Sequence, residues 1–183
     1  MSTIRVAAVI AFAGLAGGGC MQPVYEEGNA GKVNQGAQTA TSLKNVPLLV
    51  GDEKKFAEML AAHQGEVVFV DYWALWCESC VEFFPHTVET HEKFKDRGLV
   101  TIAVNFDELN EEARVRKFLA DHRADFENLM SNYDDVGQAV ANAFDFSALP
   151  QFRLYDRKGE MRYEWKAKPD DLEQRIEELL AEN

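Results

Sequence analysis

From Val46 onward the chain alternates two kinds of apolar pattern. Short, nearly unbroken apolar runs predict strands buried on both faces. Longer runs with apolar positions three and four apart predict amphipathic helices. "VPLLV", beginning at Val46, reads as a short strand. "DEKKFAEMLAAHQ" sets Phe56, Met59, Leu60 and His63 at helical spacing, with Asp52 as the N-cap. "VVFVDYW", beginning at Val67, is almost wholly apolar or aromatic and reads as a buried strand. A helix from about Ser79 to Lys95 follows, carrying Val81, Phe84, Val88 and Phe94. "LVTIAVNF", Leu99 to Phe106, is a second buried strand, and a further helix runs from about Asn110 to His122. "FENLM" reads as a short edge strand and "DVGQAVANAF" as a short helix. "QFRLYD" and "MRYEW", joined by the turn "DRKG", predict an antiparallel hairpin, and "DDLEQRIEELLAE" a closing helix. The order implies an α/β fold, a mixed β-sheet flanked by helices on both faces.

The N-terminal segment follows a different pattern. "MSTIR" ends in a positive charge, Val6 to Ala16 is apolar without a break, and "GGGC" brings small residues up to Cys20. This is the three-part layout of a secretory signal over residues 1–19, with an apolar core too short for an ordinary membrane span. A cysteine at the cleavage point makes it resemble a bacterial lipoprotein signal, in which Cys20 becomes the lipidated first residue. Gly17 departs from that pattern, which usually has Leu or a similar residue three positions before the cysteine. The alternative is a plain secretory signal with an incidental cysteine. Both readings put the domain in an extracytoplasmic space, on the periplasmic side, where disulfides persist. Residues 20–44 are rich in Gly, Asn, Gln, Ala and Thr and read as a flexible linker, leaving the folded domain at residues 45–183.

Composition narrows the function. The 183 residues suffice for one ordinary domain with extensions, and 46% of them are hydrophobic, as in a globular fold. A net charge of -12 repels phosphate backbones and argues against nucleic acid as a partner. The acidity reads as solubility, with a basic partner as the alternative.

Two of the three cysteines form a C-x-x-C pair, Cys77 and Cys80, directly after the strand at Val67. Such a pair could be half of a metal site, a structural staple, or a couple that cycles between dithiol and disulfide. Cys77 falls at the end of the strand and Cys80 in the first turn of the next helix. Unpaired N–H groups and the helix dipole stabilise a thiolate there, and the thiolate is the form that attacks disulfides. Cys77, the outer of the two, is the expected nucleophile, and Cys80, one turn deeper, the resolving residue. Asp71 shares a strand face with Val67, Phe69 and Trp73, so it is a carboxyl in apolar surroundings. Desolvation raises its pKa towards neutrality, which suits it to take the proton from Cys80; the alternative is an Asp paired with a backbone donor or a nearby Lys.

The rival readings have less support. His86 and His91 would have to complete a metal site, but they lie six residues beyond Cys80 and five beyond His86, off the three-or-four spacing of one helix face. They read as solvated surface residues. A Cu(I) carrier using the same thiols stays open on ligand type. A bridge across two residues constrains the unfolded chain very little, which disfavours a staple.

Asp71, Trp73, Trp76, the Cys77-Glu78-Ser79-Cys80 motif and Pro85, together with "ALPQFRLYDRKGE", resemble the thioredoxin superfamily. The resemblance covers about Val46 to the C-terminus. The extra helix and strand between Phe106 and Pro150 look like the extracytoplasmic, membrane-tethered TlpA/ResA type. The resemblance implies that Pro150 is a cis-proline facing the cysteines and that the backbone of Leu149 pairs with an extended substrate segment. Trp76, Glu78, Ser79, Leu149 and Pro150 are then the candidate substrate-contacting residues, although Trp76 could equally cover helix packing. Two positions depart from thioredoxin itself: Glu-Ser stands between the cysteines in place of Gly-Pro, and apolar residues around Val104 replace a buried lysine. Glu78 places negative charge beside Cys77, which favours the oxidised form, while the helix terminus opposes it. The activity implied is thiol-disulfide oxidoreduction in exported proteins, apocytochromes among them. It requires no dissociable cofactor and no metal. The partners implied are disulfide-bearing protein clients, a membrane or periplasmic dithiol partner, and the bilayer through the N-terminal anchor, with the protein itself a monomer.

Overall fold

The computed structural model describes residues 47–134 and 137–182. The expected signal, the linker, Cys20 and the first two residues of the expected domain lie outside the described residues.

Strand β1 (Leu48–Gly51) leads into helix α1 (Glu53–Ala62), whose first turn is closed by Asp52: its side chain accepts the Lys55 N–H at 3.1 Å. β2 (Val67–Trp73) is buried along its whole length, as its nearly unbroken apolar run predicts. α2 (Glu78–Phe94), β3 (Leu99–Asn105) and α3 (Glu112–His122) follow, then β4 (Glu127–Ser131) and the short α4 (Gln138–Ala143). The hairpin β5 (Gln151–Tyr155) and β6 (Met161–Trp165) and the closing α5 (Leu172–Ala181) complete the domain. The hairpin turn is built as its residues dictate. Asp156 Oδ1 accepts the N–H groups of Lys158 and Glu160, and Gly159 takes the positive φ, 77°, that a side chain would resist.

The six strands lie in the order β1-β4-β3-β2-β5-β6. β1, β4, β3 and β2 run parallel, and β5 and β6 are antiparallel to their neighbours. β4 is therefore an interior strand, not the edge strand that "FENLM" predicts. β1 takes the edge, and Leu129 and Met130 of β4 are fully buried. Alternation along β2 sends Val68, Val70 and Tyr72 to one face, where they pack with Phe56 and Met59 of α1 and Val140 of α4. Val67, Phe69 and Trp73 face the other layer, formed by α2, α3 and α5.

α2 departs from its predicted face. Its buried stripe is Cys80, Phe83, Phe84, Thr87, Thr90 and Phe94, whereas Val81 and Val88 are only half-buried. Two threonines thus occupy positions that hydropathy alone assigns to solvent.

Candidate active site

β2, at the centre of the sheet, delivers its chain end to the short loop Ala74–Trp76, and Cys77 then opens α2. Three bonds fix this loop. The Leu75 N–H donates to Asp107 Oδ2 at 2.8 Å, the Phe106 N–H to the Trp73 carbonyl at 3.0 Å, and the Cys77 N–H to the Ala74 carbonyl at 3.2 Å. Asp107 is itself buried and held by Asn105, whose Nδ2 donates to the same Oδ2 at 2.7 Å. Asp107 was not among the candidate site residues; the first acidic residue after a buried strand is the signal that could have found it.

Cys77 is the N-cap of α2. Its Sγ accepts the Cys80 N–H at 3.3 Å, and its carbonyl accepts the N–H groups of Cys80 and Val81. The two sulfurs are joined as a disulfide, with the Cα atoms 5.2 Å apart. Cys77 is the more accessible, 7% exposed against 2% for Cys80, in the order expected of an attacking and a resolving thiol. In the reduced protein, the donor that meets the Cys77 sulfur favours its thiolate over its thiol.

Asp71 is 1% exposed. Its carboxylate accepts the Thr87 hydroxyl at 2.6 Å, and neither a lysine nor a backbone N–H pairs with it among the described residues. Burial pushes its carboxyl up to about 7, while the Thr87 bond pulls the other way. Asp71 is not hydrogen-bonded to either sulfur.

The expected substrate-contacting residues lie in the loop and first helical turn around the pair and in the segment just before β5. Trp76 is 58% exposed, the most exposed large apolar side chain among the described residues. Glu78 and Ser79 are exposed, and Ser79 Oγ lies 3.6 Å from Cys77 Sγ. The Leu149–Pro150 bond is cis, and Leu149 packs against the cluster that contains Trp73, Cys77 and Cys80. Arg153 anchors the segment before Pro150, donating to the carbonyls of Phe144 and Asp145.

The histidines differ from expectation in part. His86 is half-exposed, but the His91 side chain is only 13% exposed and packs against Phe126. Burial holds its pKa below the ordinary value. Among the described residues, the donors close enough to share a metal are His91, Glu92 and Asp125, and neither cysteine is in that group.

Residues 65–161 match the profile of the thioredoxin-like family. The chain belongs to that family. Among curated relatives it is similar to the thiol-disulfide oxidoreductase ResA of Bacillus subtilis (strain 168), 30% identical over 98 residues, which span 54% of this chain and 51% of that protein. The ResA of Geobacillus kaustophilus is 29% identical over 111 residues, spanning 61% of this chain and 60% of the relative. The chain thus spans about half the length of the curated relatives it matches. Among solved structures, a candidate thiol:disulfide interchange protein DsbE from Chlorobium tepidum is 30% identical with a TM-score of 0.56, covering 67% of this chain and 85% of that one. The thioredoxin domain of a thiol-disulfide oxidoreductase from Bacteroides vulgatus is 25% identical, also with a TM-score of 0.56, covering 66% and 84%. The thioredoxin-like fold accounts for the mixed sheet and for the placement of the cysteine pair at a strand-to-helix junction. These relatives speak for dithiol chemistry, and none of their names speaks for a copper carrier.

Proposed function

We propose that the protein is a thiol-disulfide oxidoreductase that reduces disulfides in extracytoplasmic protein clients. The observation that carries this reading is the Cys77–Cys80 disulfide with Cys77 as the helix cap. In the reduced protein the Cys77 thiolate attacks one sulfur of a client disulfide. A Cys77–client bond forms, the client S–S bond breaks, and the first client thiolate leaves. Cys80 then gives up its proton to Asp71 and attacks Cys77 Sγ. The Cys77–Cys80 disulfide forms and the second client thiolate departs. Two electrons have passed to the client, and a dithiol protein at or near the membrane restores them. The exposed Trp76 with Glu78, Ser79, Leu149 and Pro150 forms the surface on which the client segment lies. The signal-like layout before Cys20 supports an extracytoplasmic, lipid-anchored placement.

The test is a pair of variants in the intact protein. Cys77→Ser should abolish reduction of protein disulfides, and Cys80→Ala should accumulate mixed disulfides with clients that dithiothreitol releases. Reduction that survives Cys77→Ser, or adducts forming through residue 80 instead, overturns the assignment.

A further inference from the structure

Asp71 and Thr87 are both buried, at 1% and 0% exposure, and their oxygens lie 2.6 Å apart. A carboxyl at this depth needs a partner in each of its charge states. As an anion it needs a donor, and as an acid its own O–H needs an acceptor. An aliphatic side chain offers neither, and a lysine serves only the anion. A threonine hydroxyl offers both, because it carries one proton and two lone pairs. On a helix it can also turn its proton to the carbonyl four residues back, here that of Phe83.

Position points the same way. Cys80, Phe84 and Thr87 stand at i, i+4 and i+7 on the buried stripe of α2. Thr87 therefore joins the helix that carries the resolving cysteine to the strand that carries Asp71, two turns and about 10 Å along the axis from Cys80. The flanking strands bring no competing charge. β3 sets Ala103 beside Asp71 and β5 sets Phe152. α5 adds Leu172, Ile176 and Leu179 to the layer, and α2 presents Cys80, Phe83 and Phe84. The titratable groups that face this layer are Cys77 and Cys80, His86 against Phe83, His91 one turn beyond Thr87 and packed on Phe126, and His122 of α3 against Phe84; none of them is hydrogen-bonded to Asp71.

We propose that Thr87 is a positioning residue for the thiol chemistry: its hydroxyl donates to the Asp71 carboxylate and reverses to accept when that carboxyl takes up a proton. The proposal rests on Asp71 as the proton acceptor for Cys80. With the hydroxyl in place, the acid changes charge without leaving either state unpartnered. Without it the anion loses its donor, the carboxyl holds its proton to higher pH, and Cys80 is activated later.

The experiment uses the intact protein as wild type, Thr87→Val, Thr87→Ala, Thr87→Ser and Asp71→Asn. Carbon-13 NMR follows the carboxyl titration of Asp71, assigned by its loss in Asp71→Asn. In parallel, the reduced protein reacts with 5,5'-dithiobis(2-nitrobenzoate). The first thionitrobenzoate released reports attack by Cys77 and the second reports resolution by Cys80. Thr87→Val should raise the Asp71 midpoint by about one pH unit and move the pH profile of the second release upward by a similar amount. Thr87→Ala, smaller and also without a hydroxyl, should shift both in the same direction. Thr87→Ser should return both to within about 0.3 unit of wild type. An unmoved midpoint in both hydroxyl-free variants overturns the proposal, as does a moved midpoint with an unmoved release profile. If Asp71→Asn keeps the wild-type release profile, it is the acceptor role of Asp71 that falls, and the carboxyl titration still decides whether Thr87 governs Asp71.

Discussion

Two buried charge-bearing side chains stand on neighbouring strands of this sheet and are treated in opposite ways. Arg153 of β5 is 4% exposed and surrounded by acceptors. It donates to Glu164 at 3.0 Å, to the Tyr72 hydroxyl at 3.2 Å, to the Phe144 carbonyl at 3.3 Å and to Asp145, and it lies over the Tyr72 ring. Asp71 of β2, on the opposite face, has one hydroxyl and no cation. A buried ion matched on every side is held in one charge state and acts as scaffold. A buried acid with a single neutral partner is left near the point where it changes charge, which is where proton transfer at ordinary pH needs it.

The contrast can be broken by pH. The folded-state pKa of Asp71, about 7, lies above its ordinary value of 3.8, so the folded protein binds this proton more tightly than the unfolded chain. Its effect on stability is absent below about pH 4. Stability is lost progressively as pH rises to about 7 and the loss is complete above that, of order 4 kcal/mol in total. Urea midpoints of the oxidised protein from pH 4 to 8 should show this decline in wild type and lack it in Asp71→Asn; parallel curves would refute it. Arg153→Met should cost about 3 kcal/mol, by the same amount across that pH range, because it strands the acceptors around it. A pH-dependent loss would mean that Arg153 is coupled to a titrating group, and the division between the two residues would fail. Asp107 sharpens the comparison from a third position, since it is a buried carboxylate with two donors, Leu75 N–H and Asn105 Nδ2. Asp107→Ala should cost about 2 kcal/mol, and Asp107→Asn less, because the amide oxygen still accepts from Leu75. Equal losses in the two variants would show that this bond does not hold the loop.

Much of this architecture was legible in the sequence because the signals are local. The nearly unbroken apolar run of β2, the cap at Asp52 and the turn residues Asp156 and Gly159 depend on near neighbours in the chain. The lateral place of β4 does not. A short apolar strand looks the same at an edge or inside, and only pairing with β1, far earlier in the chain, decides it. The cysteines and Asp71 were readable as a motif plus a strand face. Thr87 was missed because residue type sends threonine to solvent, while its position seven residues beyond Cys80 sends it to the sheet. His91 was misread for the reverse reason: its spacing ruled out a shared helix face with the cysteines, and packing against Phe126 buried it anyway.

The first turn of α2 is closed by the sulfur of Cys77. On the proposed mechanism, the group that bonds to clients is therefore also the terminus-closing group of a seventeen-residue helix. On that mechanism, the exchange of Cys80 for a client takes place at the atom that also meets a backbone N–H of the first helical turn.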